Sequence, residues 1–364
     1  SGFQQMLKEV IIMKIAGKEL EKKAEEALKT CLSKIPFLRI EKIKKEADQN
    51  GRRPDLLITL RLPNGKMDLI VELKRSGQPR LARDAVNQLL LYRDRFPGAY
   101  GILVAPYISI RAAEICANSN IGYVDLAGNC RLSFGQVHIE KEGKPNPFAQ
   151  KRDLRSLYSP KAERVLRVLL NNPKKAWKTA ELAKEANVSF GQVSNVKKLL
   201  NDREWIRTKT VGFVLVEPKE LLNEWTENYS FRRNRVEDYY SLKNVAEIEA
   251  DLAEVCISKR LVYALTGFSG AARLAPVVRY QRVFAYVEER EEDLSALLDL
   301  KRVTSGANLS LLYPYDDGVF YGARELEGVK IASPVQIHLD VSSFRGRGEE
   351  AAYQLLKQVI EPQW

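Results

Sequence analysis

The sequence predicts an α/β protein built from three parts. Amphipathic helical patterns alternate with β-rich runs over roughly the first 140 residues, three closely spaced helical patterns and a β-rich pair follow, and helix and strand patterns then alternate to the end. The chain has 364 residues, and a domain has about 150 residues on average. We therefore expect domains at residues 1–150, 151–218 and 219–364, with a linker at residues 142–148.

Composition and charge restrict the class of protein. With 45% hydrophobic and 29% charged residues, and no apolar run near the roughly 18 residues that cross a bilayer, the sequence predicts a soluble, cytoplasmic protein without a membrane role. The formal net charge of +11 favours a polyanionic partner, although a basic balance also serves solubility. Without a CxxC pair, structural zinc is not expected, and the four cysteines are expected to be reduced core residues: Cys31, Cys116, Cys130 and Cys256.

The first part reads as a helix followed by a β-hairpin and a crossover unit. An apolar stripe predicts a helix over residues 17–33, and Asn64-Gly65 between two β-rich runs predicts a hairpin of residues 55–62 and 67–74. A helix over residues 81–95 and a buried strand at residues 100–105 follow. A helix near residues 111–117 and short strands near residues 123, 131–134 and 137–140 complete the predicted sheet.

The predicted hairpin brings charged side chains to one face of the sheet. A two-residue turn at Asn64-Gly65 places Asp55 opposite Lys74, so alternation puts Asp55, Glu72 and Lys74 on one side of the sheet. Two carboxylates can hold Mg²⁺ or Mn²⁺, while a lysine orients the attacking water or stabilises the developing charge of phosphodiester hydrolysis. An alternative is left open, in which Asp55 is a turn residue and Glu72 and Lys74 are an ordinary charge pair.

These residues also carry a family resemblance. Arg53-Pro54-Asp55 followed by Glu72-Leu73-Lys74 resembles the motif of the PD-(D/E)xK nucleases, whose fold is the restriction endonuclease-like core. The resemblance covers about the first 140 residues and implies a catalytic, metal-binding site on Asp55, Glu72 and Lys74. It further implies site roles for a glutamine and a tyrosine one helical turn apart and for an acidic residue of the first helix: Gln88, Tyr92, and Glu25 or Glu26, of which Glu26 is taken as the metal ligand.

The middle part is predicted to be a winged helix-turn-helix. Ser159-Pro160 begins a first helix, residues 179–186 form a second, and Ser189 with Gln192 forms a capping box that begins a third. Residues 205–216 fold back as a two-stranded wing. The third helix and the wing offer side chains suited to DNA: Gln192, Ser194, Asn195, Lys197, Lys198, Arg207 and Lys209. Such modules also dock proteins, so this alternative is left open.

The last part is predicted to be a second α/β (α+β) domain, with helices near residues 236–258 and 349–360 and strands near 283–287, 309–312 and 319–321. Residues 263–272 favour a helix start packed closely on the sheet over a phosphate loop, and Asp316-Asp317-Gly318 favours a turn over a metal site. Residues 328–340 with 346–351 resemble the C-terminal domain of the abortive-infection type IV toxin–antitoxin antitoxins, which are winged-helix regulators.

Two functions follow from these observations. The first is a metal-dependent endonuclease that cuts duplex or branched DNA, in phage defence or DNA repair, and is positioned by the winged helix. The second is a non-catalytic DNA-binding regulator of the antitoxin type with a nuclease-like domain. A homodimer is left open in both.

Overall fold

The structure is a computed structural model that describes residues 18–45, 53–145, 157–275, 279–289 and 294–364. The first residue of the predicted first helix, Gly17, and residues 146–148 of the predicted linker lie outside the described residues. The chain divides into two compact units, one of residues 1–151 with 202–204 and one of residues 152–201 with 205–364. Among the described residues, no helix is long and apolar enough to cross a membrane. The predicted α/β class is confirmed, and each unit has a mixed sheet.

Within residues 18–45 and 53–145, the first unit contains one seven-stranded sheet whose strands follow chain order: β1 Arg39–Lys45, β2 Leu56–Leu62, β3 Gly65–Leu73, β4 Tyr100–Ala105, β5 Gly122–Asp125, β6 Cys130–Phe134 and β7 Val137–Lys141. β3, β4 and β5 are parallel, and the other neighbours are antiparallel. Parallel neighbours need crossover helices, which are α2 (Pro79–Arg93) and α3 (Ile110–Asn118). Strand β1 was not predicted from the sequence.

Helices cover both faces of this sheet. Helix α1, residues 18–32, buries Ala24 and Leu28 in one core with Leu56 and Val71. Helices α2 and α3 close a second core on the other face, which contains Ile70 of β3. Because neighbouring side chains of a strand point to opposite faces, consecutive residues of β2 and β3 enter different cores.

The second unit begins with a segment that we call the helix–hairpin module, residues 157–216, of which residues 202–204 are grouped with the first unit. It contains α4 (Pro160–Asn171), α5 (Thr179–Glu185), α6 (Phe190–Asp202) and the strands β8 (Ile206–Thr208) and β9 (Phe213–Leu215). Ser189 caps α6, since its Oγ accepts a hydrogen bond from the Gln192 N–H at 3.2 Å. Gly212 is required before β9, because its φ is +82° and a Cβ there would lie 2.1 Å from the Trp177 carbonyl oxygen. The order of helices and strands is the predicted one.

The rest of the second unit surrounds a sheet of order β13-β10-β14-β12-β11-β16-β15. Its strands are β10 Arg235–Tyr240, β11 Tyr263–Leu265, β12 Val283–Val287, β13 Lys301–Arg302, β14 Leu309–Tyr313, β15 Arg324–Leu326 and β16 Val329–Ile331. Its helices are α7 Pro218–Asn228, α8 Val245–Ser258, α9 Gly267–Leu274, α10 Leu294–Leu297, α11 Pro334–Ser342 and α12 Arg347–Leu355.

Two predictions for this region were wrong. The helix predicted from residue 236 begins at Val245, because Asn244 and Glu247 form a capping box there, and the preceding residues form β10, which pairs with β14 and buries Tyr239. The strand predicted at residues 319–321 is instead part of a short 3-10 turn, Asp317–Phe320. In this turn the Asp316 side chain accepts a hydrogen bond from the Gly318 N–H and so favours tight backbone curvature.

One apolar core joins the helix–hairpin module to the domain that follows it. Leu166 and Leu169 of α4 are fully buried in the same cluster as Trp225 of α7, Ile337 of α11 and Leu355 of α12. The boundary expected at residue 218 therefore lies inside one compact unit, and the two parts share the apolar burial that stabilises them.

Candidate functional site

The β2–β3 hairpin has a different register from the predicted one. Leu62 pairs with Gly65, so Pro63-Asn64 forms the turn and the ladder brings Asp55 opposite Glu72 rather than Lys74. Proline suits the second position of a common β-turn, and glycine its fourth. Because the shift equals two residues, the side chains keep their predicted faces.

The structure brings Asp55, Glu72 and Lys74 together at the end of this hairpin, and we call them the carboxylate cluster. Asp55 Oδ2 accepts a hydrogen bond from the Leu73 N–H at 2.6 Å, which ties the residue before β2 to the end of β3. The Lys74 ammonium donates to Glu72 Oε1 at 2.9 Å. Asp55 and Lys74 are half-buried, whereas Glu72 is only 8% exposed. A surface charge pair would be far more exposed than this.

Burial disfavours the ionised form of both carboxyl groups. It raises the pKa of Asp55, against the opposing effects of the Leu73 N–H and the Lys74 charge. Burial also raises the pKa of Glu72, and the Asp55 charge raises it further, while Lys74 lowers it. Two partly desolvated carboxylates that repel each other form an environment that a bound cation relieves.

The donor set of the cluster fits a magnesium or manganese ion. Such ions are held by one or two carboxylates and keep several waters. Oδ2 of Asp55 and Oε1 of Glu72 are engaged by Leu73 and Lys74, so the second oxygen of each carboxylate is the candidate ligand. Within the described residues no group of three or more His, Cys, Asp or Glu side chains is placed to hold a metal. The cluster therefore offers two protein carboxylates.

Gln88 and Tyr92 connect α2 to the chain that leads into Asp55. Gln88 Nε2 donates to the Tyr92 hydroxyl at 2.9 Å, and this hydroxyl donates to the Arg53 carbonyl oxygen at 2.8 Å. Tyr92 is buried, so the contact holds Arg53 against the helix. The two residues thereby position the segment before Asp55.

No contact joins Glu26, the predicted third metal ligand, to the carboxylate cluster among the described residues, and its side chain is exposed. Helix α1 packs through Ala24 and Leu28 on the sheet face opposite Glu72, which turns Glu26 to solvent. The alternative, Glu25, forms ion pairs with Lys29 at 2.7 Å and Lys45 at 3.1 Å. The exposure of these acidic side chains follows from helical periodicity, because the apolar stripe that anchors α1 in the core fixes which side of the helix faces solvent.

The residues predicted to bind DNA all lie at the surface of the helix–hairpin module. On α6, Ser194, Asn195 and Lys198 are exposed, while Gln192 and Lys197 are half-buried. The Lys197 ammonium lies over the Phe213 ring, 5.0 Å from its centroid. Arg207 and Lys209 are exposed on the hairpin. The opposite side of α6 enters the core through Val193, Val196 and Leu200.

Two other loops serve the packing of the second unit, as predicted. Helix α9 begins directly after β11, and a Cβ at Gly270 would lie 2.7 Å from the Ile337 side chain, so the glycine allows close helix packing. Asp316 Oδ1 accepts hydrogen bonds from the Gly318 N–H at 2.8 Å and from Arg164 Nε at 2.7 Å. These contacts make Asp316 a turn and ion-pair residue.

The second unit contains a buried polar network that was not predicted from the sequence, and we call it the Arg167–Asp340 network. Arg167 of α4 is fully buried and donates to Gln336 Oε1 of α11 from Nε at 2.9 Å and from Nη2 at 2.7 Å. Gln336 Nε2 in turn donates to Asp340 Oδ1 at 3.1 Å. The signal in the sequence was a charged pair, Glu163 and Arg167, inside the apolar stripe of α4.

Asp340 is the acceptor on which this network converges. It accepts hydrogen bonds from Tyr229 at 2.7 Å, from Tyr286 at 2.9 Å and from the Thr266 hydroxyl. Burial raises the pKa of Asp340, while these donors lower it. The network joins the helix–hairpin module to α11 through side chains that water does not reach.

Comparison with known proteins finds one family and two solved structures. Residues 214–361 match a family described as "Transcriptional regulator, AbiEi antitoxin, Type IV TA system". No curated protein matches the chain. The chain is similar to EndoMS in apo form, with 16% identity, a TM-score of 0.21 and coverage of 28% of this chain and 45% of that chain. It is also similar to EndoMS in complex with dsDNA, with 16% identity, a TM-score of 0.20 and coverage of 28% and 43%. The chain thus spans less than half of the structures it matches.

Proposed function

We propose that this protein is a DNA-binding transcriptional regulator of the antitoxin type, and that its helix–hairpin module is a winged helix that contacts the duplex. The observation that carries the proposal is the match of residues 214–361 to a family of transcriptional regulators. The matched region shares one core with α4, α5 and α6. A regulator needs a rigid connection between its DNA-reading helix and the rest of the protein, and this core supplies one.

The surface of α6 has the chemistry that DNA contact requires. Ser194 and Asn195 are exposed polar side chains able to reach base edges, and Lys198 beside them suits a phosphate. Arg207 and Lys209 add two exposed cations on the hairpin, as the wing of a winged helix does for the DNA backbone. The net charge of +11 adds long-range attraction to a polyanion.

The test is a binding titration with labelled duplex DNA at several salt concentrations. Replacing Lys198 and Lys209 together by glutamate removes two cations, so we expect affinity to fall by about 10-fold or more near 0.1 M salt, with a shallower salt dependence. Lys259→Glu combined with Lys301→Glu is the matched control, since it makes the same change in charge at two other exposed lysines of the second unit. Equal affinity of the double variant and wild type would assign the module to protein docking.

A second function, metal-dependent nuclease activity, is supported by the carboxylate cluster. The cluster has the residues of the PD-(D/E)xK motif, and the first unit would then be a restriction endonuclease-like domain. Asp55 and Glu72 would hold Mg²⁺ or Mn²⁺, which when bound supplies Lewis-acid activation of the phosphodiester and of water. The Lys74 ammonium, which donates to Glu72 at 2.9 Å, would stabilise the negative charge that develops on the phosphate.

The test of this second function is cleavage of duplex, branched and single-stranded DNA and of RNA with either metal. We expect Lys74→Ala to lower the rate by roughly 10²- to 10³-fold, because it removes one contact to the developing charge, and to leave DNA binding nearly intact. Lys66→Ala is the matched control, since Lys66 is exposed near the turn of the same hairpin. Absence of cleavage by wild type on every substrate would exclude the nuclease and leave the regulator proposal intact.

A further inference from the structure

Two cysteine thiols of the first unit touch across the boundary between a helix and the sheet. Cys31 lies in the last turn of α1, and Cys130 is the first residue of β6. Their Sγ atoms are 3.2 Å apart, although the residues are 99 positions apart in the chain. Both are free and buried. The sequence predicts reduced core thiols, but it gives no reason to expect two of them in contact.

The other two cysteines have different surroundings. Cys116 lies in the core on the opposite face of the same sheet, and Cys256 lies in a core of the second unit. Burial raises the pKa of each of these thiols to about 12. A thiol with such a pKa holds its proton at neutral pH and is a poor nucleophile.

The contact makes one thiol of the pair more acidic. Cys31 donates its S–H to the Cys130 sulfur, and this hydrogen bond lowers the pKa of Cys130. The Lys141 charge acts in the same direction, while burial opposes both. Cys130 is therefore the more readily ionised thiol of the pair, and the Cys31 sulfur lies in contact with it.

We propose that Cys31 and Cys130 form a reversible disulfide that locks α1 to β6 under oxidising conditions. A disulfide needs sulfur atoms about 2.05 Å apart, so the pair must approach by roughly 1 Å. Cys31 precedes the helix end at residue 32, where the backbone adjusts most easily because helix ends fray. The bond closes a loop that contains β1 to β5 and the carboxylate cluster.

The chemistry balances with a peroxide as oxidant. The Cys130 thiolate attacks one oxygen of hydrogen peroxide, the O–O bond breaks, and hydroxide leaves and is protonated to water. The resulting Cys130 sulfenic acid is attacked by the Cys31 sulfur, the S–O bond breaks, and a second water leaves with the Cys31 proton. Two thiols are oxidised by two electrons, and one peroxide is reduced to two waters.

The primary test treats the native, full-length protein with hydrogen peroxide, blocks remaining thiols and maps peptides by mass spectrometry without reduction. We expect a linked peptide pair containing Cys31 and Cys130, reversed by dithiothreitol. In denaturant, thiol titration should fall from the four cysteines of the sequence to two. Cys31→Ser and Cys130→Ser should each abolish the linked pair, whereas Cys116→Ser and Cys256→Ser should keep it.

Stability gives a second readout. All four tryptophans lie in the second unit, at Trp177, Trp205, Trp225 and Trp364, so a calorimetric transition without a tryptophan fluorescence change reports the first unit. Closing so long a loop should raise that transition by on the order of 10 °C in wild type and not in Cys31→Ser. Four titratable thiols after prolonged exposure to peroxide, or oxidation of Cys130 without a link to Cys31, would overturn the proposal.

Discussion

The carboxylate cluster of the first unit and the Arg167–Asp340 network of the second unit both bury acidic groups. They differ in how many hydrogen-bond donors each carboxylate receives from the protein. Asp340 is 2% exposed and accepts hydrogen bonds from four side chains. Among the described residues, the Asp55 carboxylate accepts one hydrogen bond, from the Leu73 backbone N–H, and the Glu72 carboxylate accepts one, from the Lys74 ammonium. Burial raises the pKa of all three carboxyl groups.

This difference separates a carboxylate whose acceptor capacity is used within the fold from carboxylates that keep part of that capacity. A buried carboxylate that neighbouring donors satisfy contributes to one fixed arrangement of the protein, and removing it leaves those donors without a partner. Two carboxylates that face each other with a single cation beside them keep acceptor capacity for a ligand. The number of internal donors per carboxylate, more than burial alone, distinguishes the two.

The largest expected effect comes from breaking the satisfied network. Asp340→Ala removes an acceptor that two tyrosine hydroxyls, the Thr266 hydroxyl and Gln336 Nε2 share, although Gln336 Nε2 keeps the two tyrosine oxygens as acceptors. The free energy of unfolding of the second unit should therefore fall by about 3 kcal/mol. Urea unfolding followed by tryptophan fluorescence measures this. Asp251→Ala, which breaks the more exposed pair with Lys243, should cost less than about 1 kcal/mol. Similar losses for both variants would show that the network adds little.

An intermediate effect is expected from metal binding at the carboxylate cluster. Saturating Mg²⁺ or Mn²⁺ should raise the calorimetric transition of the first unit by about 5 °C, because a ligand that binds only the folded state stabilises it. Asp55→Asn should abolish the rise. Asp68→Asn is the matched control, since Asp68 lies on the same hairpin and accepts a hydrogen bond from Thr59. A rise that persists in Asp55→Asn would place the ion elsewhere.

The smallest effect concerns the metal-free cluster and its pH dependence. Burial in the folded state raises the pKa of Glu72 above its usual value of 4.5. The folded protein therefore binds the proton of the Glu72 carboxyl group more tightly than the unfolded chain does. The contribution of Glu72 to the free energy of unfolding is therefore greatest below about pH 4.5, and it is lost as the pH rises through the pKa of Glu72 in the folded state. At about pH 8 without metal, Glu72→Gln should gain up to about 1 kcal/mol, and the gain should vanish at acidic pH. Calorimetry that shows a loss at pH 8 would contradict this.

The sequence by itself determined which side chains share a face. Alternation along residues 55–74 placed Asp55, Glu72 and Lys74 on one side, and the prediction survived a wrong register because a shift of two residues preserves parity. Local signals also located α6, through the cap at Ser189, and α2 with Gln88 and Tyr92 one turn apart. These features depend on neighbours within a few residues, which a single sequence displays directly.

Only the tertiary structure decided which distant groups meet. Glu26 is exposed to solvent because Ala24 and Leu28 anchor the other side of α1 in the core. Residues 235–240 form a strand, and not the predicted start of a helix, because they pair with β14. Arg167 donates hydrogen bonds to Gln336, 169 positions away, and Cys31 contacts Cys130, 99 positions away. Local periodicity predicts that a side chain is buried. Its contact partner depends on which surfaces pack together, and the packing of the whole core determines that.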